Sequence, residues 1–380
     1  MTRWWTWSIA AVLVLVAAGH AAAQAAARGG VREEAEQALT RGPFSVMQKS
    51  RVPPSGDRHD FMSVAPYWWP DPAKPGGLPY LRRDGDVNPE SRIDADDQRF
   101  DAMQETALVL ARAYAESGDE RFAARAALLL RTWFLDPATR MTPHLNYGQA
   151  IPGHNTGRSA GIIATRRLVW ILDAVRMIAA SPAWTTPDQK GLEAWCTAYA
   201  TWLQTSPIGK EEAAAVNNHG TWYDAQLAAL LLFTGERADA RALLDKRTRR
   251  RLAAQIEPDG RQPQELARTK SWGYSVMNLD GWFTLARLGR EAGVDLWNAR
   301  TRDGRSIRGA LDYLARFTGD GPAWPHTQIT PRDPASLVPL LRTAAVEFRD
   351  ARYAALADHL STARPARQDG RRPASAPEPR

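Results

Sequence analysis

The sequence predicts an all-α protein of antiparallel helix pairs, arranged as an incomplete or closed α/α toroid or as an open helical-repeat arc. Three observations carry this. From about residue 97 to 360, apolar residues recur at helical spacing, segment after segment, between short Gly, Pro and Asp punctuation. No alternating apolar–polar run is long enough for a major sheet. Consecutive helices of this length must each bury one apolar face, and a ring or arc of antiparallel pairs does so at this size. No strict period is present, so a solenoid of identical repeats is not expected.

The elements follow in order. Residues 1–24 read as a secretory signal: Arg3 for the positive start, Ile9 to Ala18 for the apolar stretch, Ala21-Ala22-Ala23 for cleavage. The apolar run is short for a spanning helix. A periplasmic or secreted protein with no stable membrane insertion after cleavage is therefore expected. Residues 25–363 read as a single domain, opening with a short helix from Val31 to Leu39. Residues 61–96 break the helical pattern with Pro66, Pro70, Pro72, Pro75, Gly76 and Gly77 among dense aromatics. A long ordered loop of this kind predicts a lid, and exposing Tyr67, Trp68 and Trp69 on it would be unfavourable without a sugar to cover. Helices are then predicted over 98–117, 119–135, 158–180, 187–204, 219–234, 236–256, 274–292, 306–317 and 338–359, with a short hairpin at 322–330. Residues 364–380 are Pro, Arg, Ala and Ser-rich, cannot form a core, and are expected to be disordered.

The composition, 44% apolar and 24% charged over 380 residues, is that of a globular chain and excludes wholesale disorder. Cys196 is the single cysteine, which excludes an internal disulfide and a Cys-based zinc site. The net charge is +7, but Arg3 carries one of these charges and residues 364–380 carry three. The remainder on the body does not point to nucleic acid, and it suits an anionic polysaccharide held in one local cleft. Of the 15 Trp, Trp4, Trp5 and Trp7 lie in the signal; the others serve either the core or sugar stacking.

None of the seven His forms a spaced metal pair, and no G-x-S-x-G, phosphate-binding or dinucleotide motif is present. No metal and no cofactor is expected. Three polar clusters remain, at 144–158, 217–224 and 264–274. Asn217 and Asn218 precede an apolar run and read as helix caps. One Asn would suffice for that, and His219 adds a titratable group at the same helix start. Arg268 and Tyr274 lie six residues apart. A cation beside a phenol favours its ionised form, although an Arg–Tyr pair is also a common structural contact.

Together these groups suit one reaction. The C5 proton of a uronic acid is hard to remove because the adjacent carboxylate is already negative. Asn, His and Arg around that carboxylate would neutralise it. A Tyr or His would take the proton and a Tyr would protonate the departing 4-oxygen, which is β-elimination.

The Asn-Asn-His motif at 217–219, the segment Glu265-Leu266-x-Arg268…Tyr274, the run Asn-Tyr-Gly-Gln-Ala-Ile-Pro-Gly at 146–153 and Pro-Tyr-Trp-Trp-Pro-Asp-Pro at 66–72 together resemble the alginate lyase domain family of polysaccharide lyases. The resemblance covers roughly residues 60–320. Each motif alone has little specificity; four in this order are specific. The resemblance implies an α/α toroid with a cleft across one mouth. It implies that Asn218 and His219 face the uronate carboxylate, that Arg268 assists, and that Tyr274 is the catalytic phenol. In this family His serves as base when proton and leaving group lie on opposite sides, and Tyr plays both parts when they share a side. The Arg-to-Tyr spacing and the Trp-Gly-Tyr-Ser context depart from the family pattern, so the substrate is read as alginate or a related β-1,4-linked polyuronate such as glucuronan.

Substrate contacts are expected from Tyr67, Trp68, Trp69, Asn146, Tyr147, His154, Asn155, Arg158, Asn217 and Trp222. Two other readings stay open on sequence. A toroidal glycoside hydrolase needs two carboxylates, and Asp224, Asp259, Glu265 and Asp280 are available. A helical polysaccharide-binding protein would need none.

Overall fold

The structure is a computed structural model and describes residues 32–362. The signal-like segment 1–24 and the tail 364–380 lie outside the described residues. The described residues form two compact units. One holds the chain up to Arg251 together with Arg287–Val294; the other holds Leu252–Ala286 and the chain from Asp295 onward.

In the first unit, residues 32–38 are helical (α1), as the sequence predicts. Lys49 then enters the interior. Its Nζ donates to Val46 O at 2.8 Å and Arg58 O at 2.7 Å, and pairs with Asp96 at 2.9 Å. Asp96 also accepts from Met62 N at 2.9 Å. Every donor of the buried ammonium is thereby used, which is what a buried charge requires. Burial pushes the Lys49 ammonium down and the Asp96 carboxyl up from their ordinary values.

The pair ties the start of β1 (Met62–Val64) to α2 (Asp96–Ser117). β2 (Trp68–Trp69) and β3 (Leu81–Arg82) form an antiparallel hairpin. The expected loop at 61–96 is thus an ordered, partly stranded segment. Gly118, in the left-handed region at φ 70°, ends α2. Asp119 then caps α3 (Glu120–Phe134) by accepting from Arg121 N. Phe100, Met103, Leu110, Leu130 and Trp133 are buried in the core of this unit.

β4 (Tyr147–Ala150) pairs parallel with β1. The periodicity predicts a single helix over 158–180. The structure instead has a 3-10 turn at Ser159–Thr165 and then α4 (Leu168–Ile178). The cause is a close backbone approach: a Cβ on Gly161 would lie 2.4 Å from Gly148 C, so the chain runs flush against β4. α5 (Thr186–Thr205) follows, then α6 (Pro207–Ala214), which the periodicity does not reveal. Ser206 caps α6 and Pro207 opens it. α7 (Asn218–Phe233) is buried on nearly every side, as a central helix is. The helix expected over 236–256 is continuous but changes winding: α8 (Arg237–Ala242), a π turn at Leu243–Thr248, then α9 (Arg249–Gln255).

In the second unit, α10 (Pro263–Leu266) precedes α11 (Ser271–Ala292) and α12 (Ile307–Ala315). Asn278 Nδ2 donates to Gln262 Oε1 at 2.7 Å, and Trp282 Nε1 donates to Gln255 Oε1 at 3.2 Å, which tie α11 to the chain before it. The helix expected over 338–359 is two helices, α13 (Val338–Glu347) and α14 (Ala351–Thr362), broken where Arg349 takes φ 51°. No hairpin forms within 322–330. Gln328 instead pairs antiparallel with Lys270, 58 positions earlier. Among the described residues the strands amount to two short pairs, and the all-α class expected from sequence holds.

Candidate active site

The start of α7 carries the Asn-Asn-His cluster. Asn217 precedes the helix, and its Oδ1 accepts from His219 N at 3.2 Å. Asn218 is the first helical residue and is fully buried. His219 Nδ1 lies 2.6 Å from Glu212 Oε1, a carboxylate of α6 that is only 3% exposed. With Nδ1–H donating to Glu212, the imidazole is fixed in one tautomer and Nε2 is presented as the acceptor. His219 itself is 20% exposed. Glu212 is a site residue that sequence reading missed; its signal was the Ser206-Pro207 helix start, which makes 207–214 a helix and lifts Glu212 out of an unstructured linker.

The helix start is held from behind. Arg251 donates to Ala213 O at 2.8 Å, to Ala215 O, and to Asp224 Oδ2 at 2.9 Å. Asp224 is fully buried and also takes Arg247 and Thr248 Oγ1. A Cβ on Gly220 would sit 1.9 Å from Arg251 Nη1 and 2.1 Å from Ala215 O, so only glycine fits there. Asp224 is therefore an anchor for two guanidinium groups. That removes it from the carboxylates available to a hydrolase.

The 144–158 cluster is built around β4. Gln149 occupies the left-handed region at φ 49°, with its N–H on Ser63 Oγ at 2.9 Å. Its Oε1 accepts from Arg158 Nη2 at 2.6 Å. Burial, with Arg82 nearby, pulls the Arg158 pKa below its ordinary value. A Cβ on Gly157 would meet Asn146 O at 2.0 Å, so the segment doubles back tightly. Asn146 Oδ1 accepts from Trp202 Nε1 at 3.0 Å. Trp202 stacks on Tyr199 with centroids 5.7 Å apart, and His144 lies 6.3 Å from both Tyr147 and Trp202. Half-buried Trp202 is a second residue the sequence did not single out.

The aromatic hairpin is latched to this cluster. Tyr80 N donates to Pro152 O at 3.1 Å, His154 Nε2 lies 2.9 Å from Tyr80 O, and Trp68 meets His154 edge-on at 5.1 Å. Tyr67, Trp68 and Trp69 are half-buried, with Arg83 over the Trp69 ring at 5.0 Å. Asn155 is a turn residue: its Oδ1 accepts from Ile151 N at 3.1 Å. Trp222 corrects the expectation of a substrate contact. It is 1% exposed on central α7 and packs edge-on against Trp170, so it belongs to the core. Trp272, in the other unit, is likewise buried.

In the second unit Arg268 and Tyr274 come together. Arg268 Nη2 donates to Tyr274 Oη at 2.8 Å, and its guanidinium carbon is 3.8 Å from the ring centroid. A guanidinium in this place favours the phenolate over the phenol. The spacing of six residues is closed by the Thr269–Lys270 corner between α10 and α11. No group of acidic, His or Cys side chains suited to a metal ion occurs among the described residues.

A family model described as Alginate lyase matches residues 45–324 of this chain. An alginate lyase crystal structure from Bacteroides ovatus is 42% identical, with a TM-score of 0.85, and the match covers 88% of this chain and 90% of that one. Alginate lyase A1-III from Sphingomonas species A1 is 16% identical, with a TM-score of 0.55 over 84% of this chain and 86% of that one. The same lyase complexed with a tetrasaccharide is 15% identical, with a TM-score of 0.54 over 85% and 88%. At that identity the last two speak to the fold alone. The all-α toroidal fold class read from the sequence is the class these structures share with the chain. No curated protein matches the chain.

Proposed function

Since the chain belongs to the alginate lyase family and is a polysaccharide lyase, we propose that it cleaves alginate, or a related β-1,4-linked polyuronate such as glucuronan, by β-elimination. The observation that carries this reading is the Arg268–Tyr274 pair. A guanidinium that donates to a phenol oxygen at 2.8 Å favours the ionised form, which suits the phenol to give up and take back a proton.

The step balances without a co-reactant. A base removes the C5 proton, the C4–O bond breaks, a C4–C5 double bond forms, and the departing oxygen is protonated. Tyr274 is the proton donor to that oxygen. The base is Tyr274 itself where proton and leaving group share a face, and His219 Nε2 where they do not. In this reading Asn218, by hydrogen bonding, and Arg268, by charge, act on the uronate carboxylate, joined by His219 where Tyr274 is the base, and they stabilise the doubly charged intermediate. Tyr67, Trp68, Trp69, Tyr147 and Arg158 are the further contacts to an anionic chain, and the mature protein works in the periplasm or outside the cell. Half-buried aromatics on the hairpin, together with an arginine beside β4, support the assignment of those contacts.

The test is Tyr274→Phe, which removes one oxygen and keeps the ring. It is expected to lose turnover on alginate by about three orders of magnitude or more with the far-ultraviolet circular dichroism unchanged. Near-normal turnover would refute the role of Tyr274.

A further inference from the structure

We propose that the segment Trp324–Thr330 is a positioning strap for the Arg268–Tyr274 pair, and that Gln328 is its working residue. The inference rests on the assignment of Tyr274 as the reacting phenol.

Lys270 stands before α11, with a side chain that offers no acceptor, where Ser, Thr, Asp or Asn would ordinarily sit. The strap supplies an acceptor. Gln328 Oε1 accepts from Trp272 N at 3.1 Å, the place a capping side chain would take. Thr327 O accepts from Ser271 N at 3.3 Å and from Ser271 Oγ at 2.6 Å. Ile329 N donates to Thr269 O at 2.9 Å. The corner between Arg268 and Tyr274 is thereby bonded to one surface segment.

The strap has a rigid base. Trp324 Nε1 donates to Ser271 Oγ at 2.8 Å, and the Trp324 ring meets Trp272 and Phe317 edge-on, each at 5.1 Å. Gln328 Nε2 donates to Thr330 Oγ1 at 3.1 Å, which orients the amide so that its oxygen faces the helix. Tyr274 is the fourth residue of α11 and Arg268 lies before the corner. The turn between them joins guanidinium and phenol, and that turn is what the strap holds. Gln328 acts on the backbone of that turn, so its effect runs through the geometry of the pair and hence through the ease with which the phenol ionises.

The experiment measures kcat and KM on alginate across pH for the wild type, Gln328→Ala, Gln328→Glu and Trp324→Phe, beside Tyr274→Phe. Gln328→Ala is expected to lower kcat by about 10- to 100-fold with a much smaller change in KM, and to move the pH limb that reports the phenol upward. Gln328→Glu retains the acceptor and is expected to restore most of kcat, its added negative charge appearing in KM. Trp324→Phe keeps an aromatic ring, loses the bond to Ser271, and is expected to fall between. If Gln328→Ala folds poorly, the Glu and Phe variants carry the comparison. An unchanged kcat and pH profile in Gln328→Ala, or a loss that Glu does not restore, would overturn the strap. An active Tyr274→Phe would instead overturn the assignment it rests on.

Discussion

The starts of α7 and α11 bear two of the polar clusters of this chain, and they are anchored in opposite ways. The start of α7 is held from inside. A fully buried Asp224 gathers Arg247 and Arg251, and Arg251 reaches on to the carbonyls of Ala213 and Ala215. Glycine at position 220 is the space that arrangement leaves. The start of α11 is held from outside, by hydrogen bonds to a segment whose Thr327 and Ile329 lie towards the surface. The first frame is a matter of burial and charge: removing one partner leaves an uncompensated ion. The second is a matter of backbone and amide bonds near water, each of modest net worth. The difference teaches that substitutions at the first should be read in folding, and at the second in turnover.

The largest effect that sharpens this contrast is Gly220→Ala. The added methyl has no place between Arg251 and Ala215 O, so a loss of about 3 kcal/mol is expected in chemical denaturation. A Gly220→Ala protein as stable as the wild type would break the comparison on the α7 side. Next comes Glu212→Gln. The amide keeps the shape but no longer fixes the imidazole tautomer, so turnover is expected to drop about 10-fold while the melting temperature moves little. A variant that unfolds would place Glu212 with the buried frame instead.

The smallest effect concerns a third frame outside both clusters. Asp188 at the start of α5 takes Arg131 through two bonds, at 2.7 and 2.6 Å. That guanidinium, with the Thr185 cap, holds the Asp188 carboxyl at about 2, below its ordinary 3.8. The folded value is depressed, so the stabilisation is complete above the ordinary value and fades as pH falls through about 2. Asp188→Asn is expected to cost about 1–2 kcal/mol at pH 7 and much less near pH 2. An equal cost at both would show that the pair acts by packing alone.

The contrast also explains what the sequence disclosed. Helices α2, α3, α5 and α7 were legible because each carries its apolar residues at the helical period, a local property. Asn217, His219, Arg268 and Tyr274 were legible because polar groups stood out beside apolar runs. Glu212 was not, because its partner is created by the turn between α6 and α7. The hairpin expected at 322–330 does not form for the same reason: the segment has local turn signals, while its pairing with 269–271 is a long-range fact. Trp222 reads as a substrate contact because a polar motif precedes it by three residues, but the apolar run Ala225 to Phe233 makes α7 a central helix and buries the ring.

The central claim is elimination, and it is tested most directly by following the product. Wild-type protein is incubated with alginate while ultraviolet absorbance and new reducing ends are recorded together. The account predicts that absorbance from a C4–C5 double bond conjugated to the carboxylate rises in step with the reducing ends. Reducing ends that accumulate without that absorbance would mean hydrolysis, and would contradict it.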